Sequence, residues 1–583
     1  MFAVVSSRVT WSTLPPRSRR VIASIVIIVG LSALFGGDLR ERVGLMRDPL
    51  VFTDDARQWL APYAIYEAGT PEGDYASTYT KVITPSGYRG VFEGLSRYFE
   101  PGAAGKVLSM LLLATLLFGL GVAGHRFAGA PGVFFAMALA LSCPMFVERM
   151  SGGLPRGFGY PVLALAAAAL VTGRMVWLCA IVVIASAFYP PAALVSGVSL
   201  STVLLIMPAR CRGDAAEWTL RRRVTAVAVT CGICVLLMLP ATLNARPYGA
   251  ALGPSDLVAY PEIGAAGRYD PPSRPPYPNV FRAIVEQSAS TLMGAGHPVL
   301  GVAIGRRLLE TRVPWLARVA QGGLLVAALL GFVVFSRGSP AAWRLAVLAP
   351  ASAALYIAAV ALAPRLFIPT RYITYPIPIL TLLVLIAGGA ALGRASFNWM
   401  ARPVSPRAAQ IGAAVLASVS LLLFGGRGAP MNGLIDERPL APVFDFVRSL
   451  PQSSLLAGWP RRVLDDIPYA THRRVLLNYE THQVFHKEFV EEMRRRANAV
   501  FDAHFATTPE PITRLRDEFH VTHLIVNRRY FIETPKYFEP FNDGLARRYE
   551  AGRQDGFLLA SPRKTSAVFD YGDYAVFDLS RFQ

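Results

Sequence analysis

Residues 107–147 read VLSMLLLATLLFGLGVAGHRFAGAPGVFFAMALALSCPMFV. Two apolar runs, 107–124 and 131–147, are divided by a short stretch carrying His125 and Arg126. Each run suits a helix crossing the roughly 30 Å hydrocarbon core of a bilayer, which takes about 17–25 residues. Working outward, similar runs lie near 21–37, 158–173, 175–193, 194–208, 224–243, 321–336, 345–364, 373–393 and 408–426. The expected fold is an α-helical polytopic membrane protein of about 11 transmembrane helices. The first run follows Arg17, Arg19 and Arg20, but no A-x-A-like cleavage site follows it, so an uncleaved first helix is expected.

Charge supports the membrane reading over a nucleic-acid one. The chain of 583 residues has a net charge of +19 with 53% hydrophobic residues. Residues 431–583 hold 21 Lys+Arg and 21 Asp+Glu, whereas the residues before Met431 hold 37 and 18. The excess therefore lies in short loops between apolar runs, where Lys and Arg stay cytoplasmic on insertion. Alternating the loops from a cytoplasmic N-terminus puts Arg126, Arg174, Arg210, Arg212, Arg221–Arg223, Arg337, Arg344, Arg394, Arg402 and Arg407 on one side. The expected location is the inner (plasma) membrane, multi-pass, with the C-terminal region extracytoplasmic. Residues 290–320 weaken the parity, because Arg306, Arg307, Arg312 and Arg318 flank a short apolar stretch suited to a re-entrant or interfacial helix.

Two domains follow from this texture. Residues 1–430 form the membrane domain, with outer loops 38–104 and 244–320. Residues 431–583 form an extracytoplasmic α/β domain, with strand-like runs at Ser454–Ala457, Val475–Asn478, His523–Val526 and Tyr574–Phe577 and a helical stretch from His486 to His504. The five cysteines lie in or beside apolar runs, and the Cys231/Cys234 pair has no second pair to complete four metal ligands.

Ionisable groups cluster at the outer ends of the spans, which places the chemistry at the membrane surface. The first outer loop contains Thr53-Asp54-Asp55-Ala56-Arg57-Gln58-Trp59. Thr53 or Asp54 can cap a helix whose Trp59, Tyr63 and Tyr66 share a face, so the acids read as helix caps or as a reactive pair. The second outer loop carries Arg156 among glycines, just before Tyr160-Pro161. A guanidinium there suits a phosphate through paired hydrogen bonds, or a lipid headgroup. Arg365 and Arg371, between two later spans, invite the same two readings. His482 and His486 stand four apart, a spacing that on a helix suits zinc, but no H-E-x-x-H pattern occurs. Trp459, Tyr479, Glu480 and His482 are candidates for acceptor recognition.

Asp54-Asp55-Ala56-Arg57-Gln58 resembles the Asp-Glu-Ala-Arg-Tyr type of motif in the first outer loop of GT-C glycosyltransferases, polytopic enzymes that use polyprenyl-phosphate sugars. The Arg-bearing loop before Tyr160-Pro161, the number of spans and the outer C-terminal domain are similar to that superfamily along the chain. Phe444–Val447, Leu455–Gly458 and His523–Val526 look like the soluble tail of uncharacterised bacterial members of this type. Asp55 and Gln58 depart from the motif, and the C-terminal domain lacks the Trp-Trp-Asp-like signature of oligosaccharyltransferases.

The resemblance implies an inverting transfer of a hexosyl or pentosyl group from a polyprenyl-phosphate donor to a lipid or cell-envelope glycan acceptor. It implies Asp54 as base or acceptor-orienting group and Asp55 as its partner, with Arg57 and Tyr160 as support. Arg156 and Arg371, with Arg365 in reserve, would neutralise the leaving phosphate. Some members use a divalent cation, and Asp54 with Asp55 would hold Mg²⁺ or Mn²⁺ here. A transporter or lipid flippase is the alternative, and a membrane scaffold a further one. Transporters usually keep charge at the bilayer midplane, where this sequence has almost none.

Overall fold

The structure is a computed structural model. It describes residues 15–53, 56–59, 74–150, 154–264, 266–268, 280–291, 326, 329–334, 338–363, 365–366, 368–399, 433–533, 535–560 and 567–582. Five of the described helices are long and apolar enough to cross a membrane, with shorter apolar helices at Met175–Phe188 and Pro190–Ile206. The protein is thus a polytopic α-helical membrane protein with a small sheet near its C-terminus. The expected span at 408–426 and most of 321–336 lie outside the described residues.

The opening stretch 107–147 forms two helices, as its composition demands. Helical residues run over Pro101–Ser142, but Ala128 and Gly129 leave helical geometry, and Gly129 has φ 63° and ψ −146°. The chain reverses there. A Cβ on Gly124 would stand 2.3 Å from the Gly132 carbonyl oxygen, so the two helices meet backbone to backbone where only glycine fits. The helix Gly159–Thr172 packs on this pair and is buried along nearly its whole length, which makes it the centre of the helical body. Gly173 ends it in the left-handed conformation. Arg344 donates to the carbonyls of Leu170 and Val171, placing a cation at the negative end of the helix dipole. Asp214 accepts from the Met175 backbone at the same end. Several of the basic residues read as cytoplasmic therefore gather at one end of the body.

At the opposite end, residues 433–582 build a five-stranded sheet. Strands β1 (Val51–Phe52) and β2 (Ile435–Asp436) pair separately, and β3 (Leu455–Gly458), β4 (Arg474–Val475), β5 (His523–Asn527), β6 (Phe569–Tyr571) and β7 (Tyr574–Asp578) run in the order β4-β3-β5-β7-β6. The β4-β3-β5 part is parallel and the β5-β7-β6 part antiparallel. Alternation along the strands serves two cores, as the period of 2 requires. Leu524 and Val526 face the helix Lys487–His504 through Phe489, Met493 and Phe501, while Ile525 faces Val443, Phe444 and Ile467 on the other side. The strand-like runs of the sequence coincide with β3, β4, β5 and β7, although β4 closes after Val475.

The sheet is joined to the first polar loop at several points. β1 pairs antiparallel with β2, Val51 opposite Asp436 and Phe52 opposite Ile435. The Phe52 ring lies 4.7 Å from that of Tyr469. Arg57 Nε donates to Asp466 at 2.6 Å and its Nη2 to Glu437 at 3.1 Å. The Tyr79 hydroxyl is 2.7 Å from His486 Nδ1. The described residues of 51–59 and 74–83 therefore share one end of the helical body with those of 433–582.

Arg57 keeps 12% of its side-chain surface and Asp466 none, so this ion pair is almost dry. Removing one partner strands the other charge, at a cost of about 3–5 kcal/mol, whereas replacing both with apolar groups can be close to neutral. Arg57→Leu is expected to destabilise the full-length protein strongly, and Arg57→Leu with Asp466→Leu to recover most of the loss. A thermal-unfolding double-mutant cycle measures this; additive losses would show that the pair is not coupled.

Candidate functional site

Two loops, the second outer loop with Arg149 and Arg156 and the turn with Arg371, bring three arginines toward a group of tyrosines. The turn Pro155–Phe158 leads directly into the helix Gly159–Thr172, so Arg156 sits half-buried one turn from buried Tyr160. The Tyr160 hydroxyl donates to the Thr374 carbonyl at 3.1 Å, tying that helix to the turn Arg371–Thr374. The ring of Tyr375 lies 4.8 Å from that of Tyr160 and 5.1 Å from that of Tyr189. Arg371 Nη1 donates to the Tyr375 hydroxyl at 3.3 Å, and its guanidinium carbon stands 5.8 Å from that ring's centre. Arg156 and Arg371 both act electrostatically on the Tyr189 hydroxyl, and Arg149 and Arg371 on that of Tyr160.

This convergence puts cationic donors on a floor of aromatic rings at the end of the bundle that carries the sheet. Gly433, where the C-terminal region begins to be described, lies against Glu148 of the same loop. Such a site suits a phosphate, because guanidinium groups bind it through charge-assisted paired bonds. Of the three arginines proposed from sequence, the structure brings Arg156 and Arg371 together. Arg365 stands apart: it is exposed, and its Nε lies against Gly253, with Asp256 in electrostatic reach. Arg149, Tyr189 and Tyr375 were missed in the sequence. Tyr375 follows Arg371 by four residues, a helical spacing that was open to reading.

Asp54 and Asp55 lie outside the described residues. Their neighbours are anchored on both sides, by the β1–β2 pairing before them and by Arg57 after them. Arg57, expected as support for the acids, donates to Asp466 and Glu437. The Ala56 amide donates to the Thr53 carbonyl at 3.0 Å. The helix described after it is Ala56–Trp59, and Tyr63 and Tyr66 lie outside the described residues.

A second polar network lies at the carboxyl end of β3. Residues 459–462 turn from β3 into the helix Val463–Thr471, with Arg462 strained at φ 56°. Asp465 accepts from the Glu480 amide at 3.0 Å. Arg268 reaches Glu480 at 3.5 Å and lies over the ring of Tyr479, its guanidinium carbon 3.7 Å from the centre. Burial pushes the Asp465 carboxyl up to about 8, and Glu480 adds to this while Arg57 and Arg268 oppose it. Asp466 is also pushed upward by burial, against the pull of Arg57. β3 lies between its parallel neighbours β4 and β5 here.

The zinc reading of His482 and His486 is corrected. The helix starts only at Lys487, so the two do not share a helical face. His482 Nδ1 lies 3.1 Å from the Tyr537 hydroxyl, and His486 pairs with Tyr79. Among the described residues no three His, Cys, Asp or Glu side chains assemble a metal site. Trp459 is buried between Phe501 and Tyr530, and His482 is buried as well, which makes both core residues. Tyr479 and Glu480 stay with Arg268 at the network's edge.

No family model matches the chain, and no curated protein matches it. Among solved structures it is similar to the oligosaccharyltransferase of Archaeoglobus fulgidus in complex with Zn and sulfate, with a TM-score of 0.48 and 10% identity, covering 88% of this chain and 68% of that one. The Archaeoglobus fulgidus enzyme with an inhibitory peptide and a dolichol-phosphate gives a TM-score of 0.46 at 11% identity, covering 88% and 69%. ArnT from Cupriavidus metallidurans bound to undecaprenyl phosphate gives 0.40 at 12% identity, covering 97% of this chain and 98% of that one.

The Asp465 shift has a pH signature. Its carboxyl is raised on folding, so the stability it lends is complete below its ordinary value of 3.8 and is lost as pH rises toward about 8. The thermal midpoint of the full-length protein in detergent is expected to fall between about pH 5 and about pH 8.5, and Asp465→Asn to reduce that slope. An identical slope in the variant would show that Asp465 does not titrate in this window.

Proposed function

We propose that this chain is a membrane glycosyltransferase. It moves a sugar from a polyprenyl-phosphate donor to a lipid or cell-envelope glycan acceptor on the extracytoplasmic face of the inner membrane. The observation that carries the reading is the convergence of Arg156 and Arg371, with Arg149, on Tyr160, Tyr189 and Tyr375. The acid-bearing first loop is held at the same end of the bundle by Arg57 and β1. A phosphate on a lipid chain would meet donors at the bundle end while its chain stays beside the apolar helices.

In this reading the transfer inverts the sugar carbon. Asp54 accepts the proton of the acceptor hydroxyl as the acceptor oxygen bonds to that carbon, and the carbon–oxygen bond to the polyprenyl phosphate breaks. Asp55 steadies the pair. Arg156 and Arg371 compensate the charge that grows on the departing phosphate, where fixed electrostatic help is most effective. A divalent cation, where bound, would add charge at Asp54 and Asp55 through oxygen ligands. Arg57 acts as a positioning residue, since its guanidinium is bound to Asp466 and Glu437.

Replacing either phosphate-binding arginine with glutamine removes a charge-assisted bond worth about 1.5–3 kcal/mol. Binding of a short-chain polyprenyl phosphate to Arg156→Gln or Arg371→Gln is expected to weaken by about 10- to 150-fold, with Arg156→Lys recovering only part. Equal affinity in wild type and all variants would remove these residues from the phosphate site. A wild type that ignores the phosphate but moves a solute across vesicles would make the chain a transporter.

The acids are tested separately. Asp54→Asn keeps the shape of the side chain and removes proton acceptance, so turnover should fall by about 10²- to 10⁴-fold with donor binding retained. Near-normal glycosyl transfer in the folded variant would return the pair to a helix-capping role.

A further inference from the structure

A cleft of about 910 Å³ opens where the first helix ends, the helical stretch Pro101–Ser142 begins, and the C-terminal region covers both. It is separate from the arginine–tyrosine cluster. Four cationic side chains line it: Arg47, Lys106, Arg448 and Arg473. Glu100 is the one carboxylate on its lining. His472, held at φ 58° and facing Arg448 and Arg473 electrostatically, is pushed toward its neutral form by burial, so it is not counted as a cation.

The four cations are not equivalent. Arg473 donates to the carbonyls of Arg448, Leu450 and Thr471, and Arg448 to the Ala470 carbonyl and Asp445, so these two form a fixed positive wall. Lys106 donates to the Asp48 carbonyl at 2.7 Å, which leaves further ammonium protons for another acceptor. Among the described residues neither Lys106 nor exposed Arg47 forms a direct ion pair, although the Asp48 carboxylate acts on Lys106 electrostatically. Below them the lining is apolar, with Val43 near the end of one membrane helix and Val107 and Met110 in the first turns of another.

A positive rim above an apolar floor, between two membrane helices, has the polarity of an anionic amphiphile. We propose that this cleft seats the headgroup of an anionic membrane lipid, its phosphate between Arg47 and Lys106 and its chain along Val43, Val107 and Met110. The volume exceeds what a free phosphate needs, and the apolar floor gives a soluble anion no partner. The site does not depend on the transferase reading. It would hold a lipid against the seam between the membrane helices and the C-terminal region.

The test uses the full-length protein in neutral detergent and compares short-chain phosphatidylglycerol, phosphatidylcholine of equal chain length, and soluble glycerol phosphate. Phosphatidylglycerol is expected to bind at least about 10-fold more tightly than either of the others. Arg47→Glu, at an exposed position without a carboxylate partner, is expected to remove at least about 10-fold of that affinity, and Lys106→Gln to weaken it as well. Arg371→Gln should leave it unchanged. Equal binding of the two lipids, or unchanged phosphatidylglycerol affinity in Arg47→Glu, overturns the proposal. Glycerol phosphate binding as tightly as the lipid, or loss of the lipid only in Arg371→Gln, overturns it too.

Discussion

The contact between Arg57 and Asp466 organises this molecule, because it buries a cation from the first polar loop against an anion more than 400 residues later in the chain. A buried charge is tolerated only when its partner and hydrogen bonds are in place, so the two segments have little freedom to sit elsewhere. Glu437, just after the strand that pairs with β1, accepts from the same guanidinium. One arginine thereby holds the first loop, the sheet edge and the start of the helix Val463–Thr471 in a single arrangement. Specificity of docking is its main product, since the desolvation cost offsets much of the attraction between the charges.

That arrangement has consequences on both sides. Within the sheet region, Arg57 partly offsets the buried carboxyls of Asp465 and Asp466, Arg268 helps at Asp465, and Glu480 works against both at Asp465. On the membrane side, β1 and Arg57 fix the described residues on either side of positions 54 and 55. The aromatic cluster of Tyr160, Tyr189 and Tyr375 is built differently, by helix starts and ring packing, with arginines delivered from two loops.

The charges at the two ends of the helical body also divide by role. Arg344 is taken up by backbone carbonyls at a helix C-terminus, where it satisfies acceptors the helix leaves open. Arg149, Arg156 and Arg371 stand at the other end, beside aromatic hydroxyls. Arginine suits both tasks because its planar fork serves carbonyls and phosphates alike, and composition alone does not separate them. The same ambiguity explains why Arg365 and Arg371, six residues apart, read alike in the sequence but differ in the structure.

What the sequence determined was local. Apolar runs marked the membrane helices, short β-type runs marked β3, β5 and β7, and the stretch with His125 and Arg126 divided two apolar runs, because burial patterns repeat over a few residues. Arg156 and Arg371 also stood out as charges beside apolar runs, where charge is costly. Tertiary structure alone decided that Arg57 belongs to Asp466, that Arg149 joins Arg156 and Arg371, and that His482 and His486 are separate core and interface residues. Those outcomes rest on which side chains lose water together. Packing between distant segments sets this, and no local period in the chain encodes it.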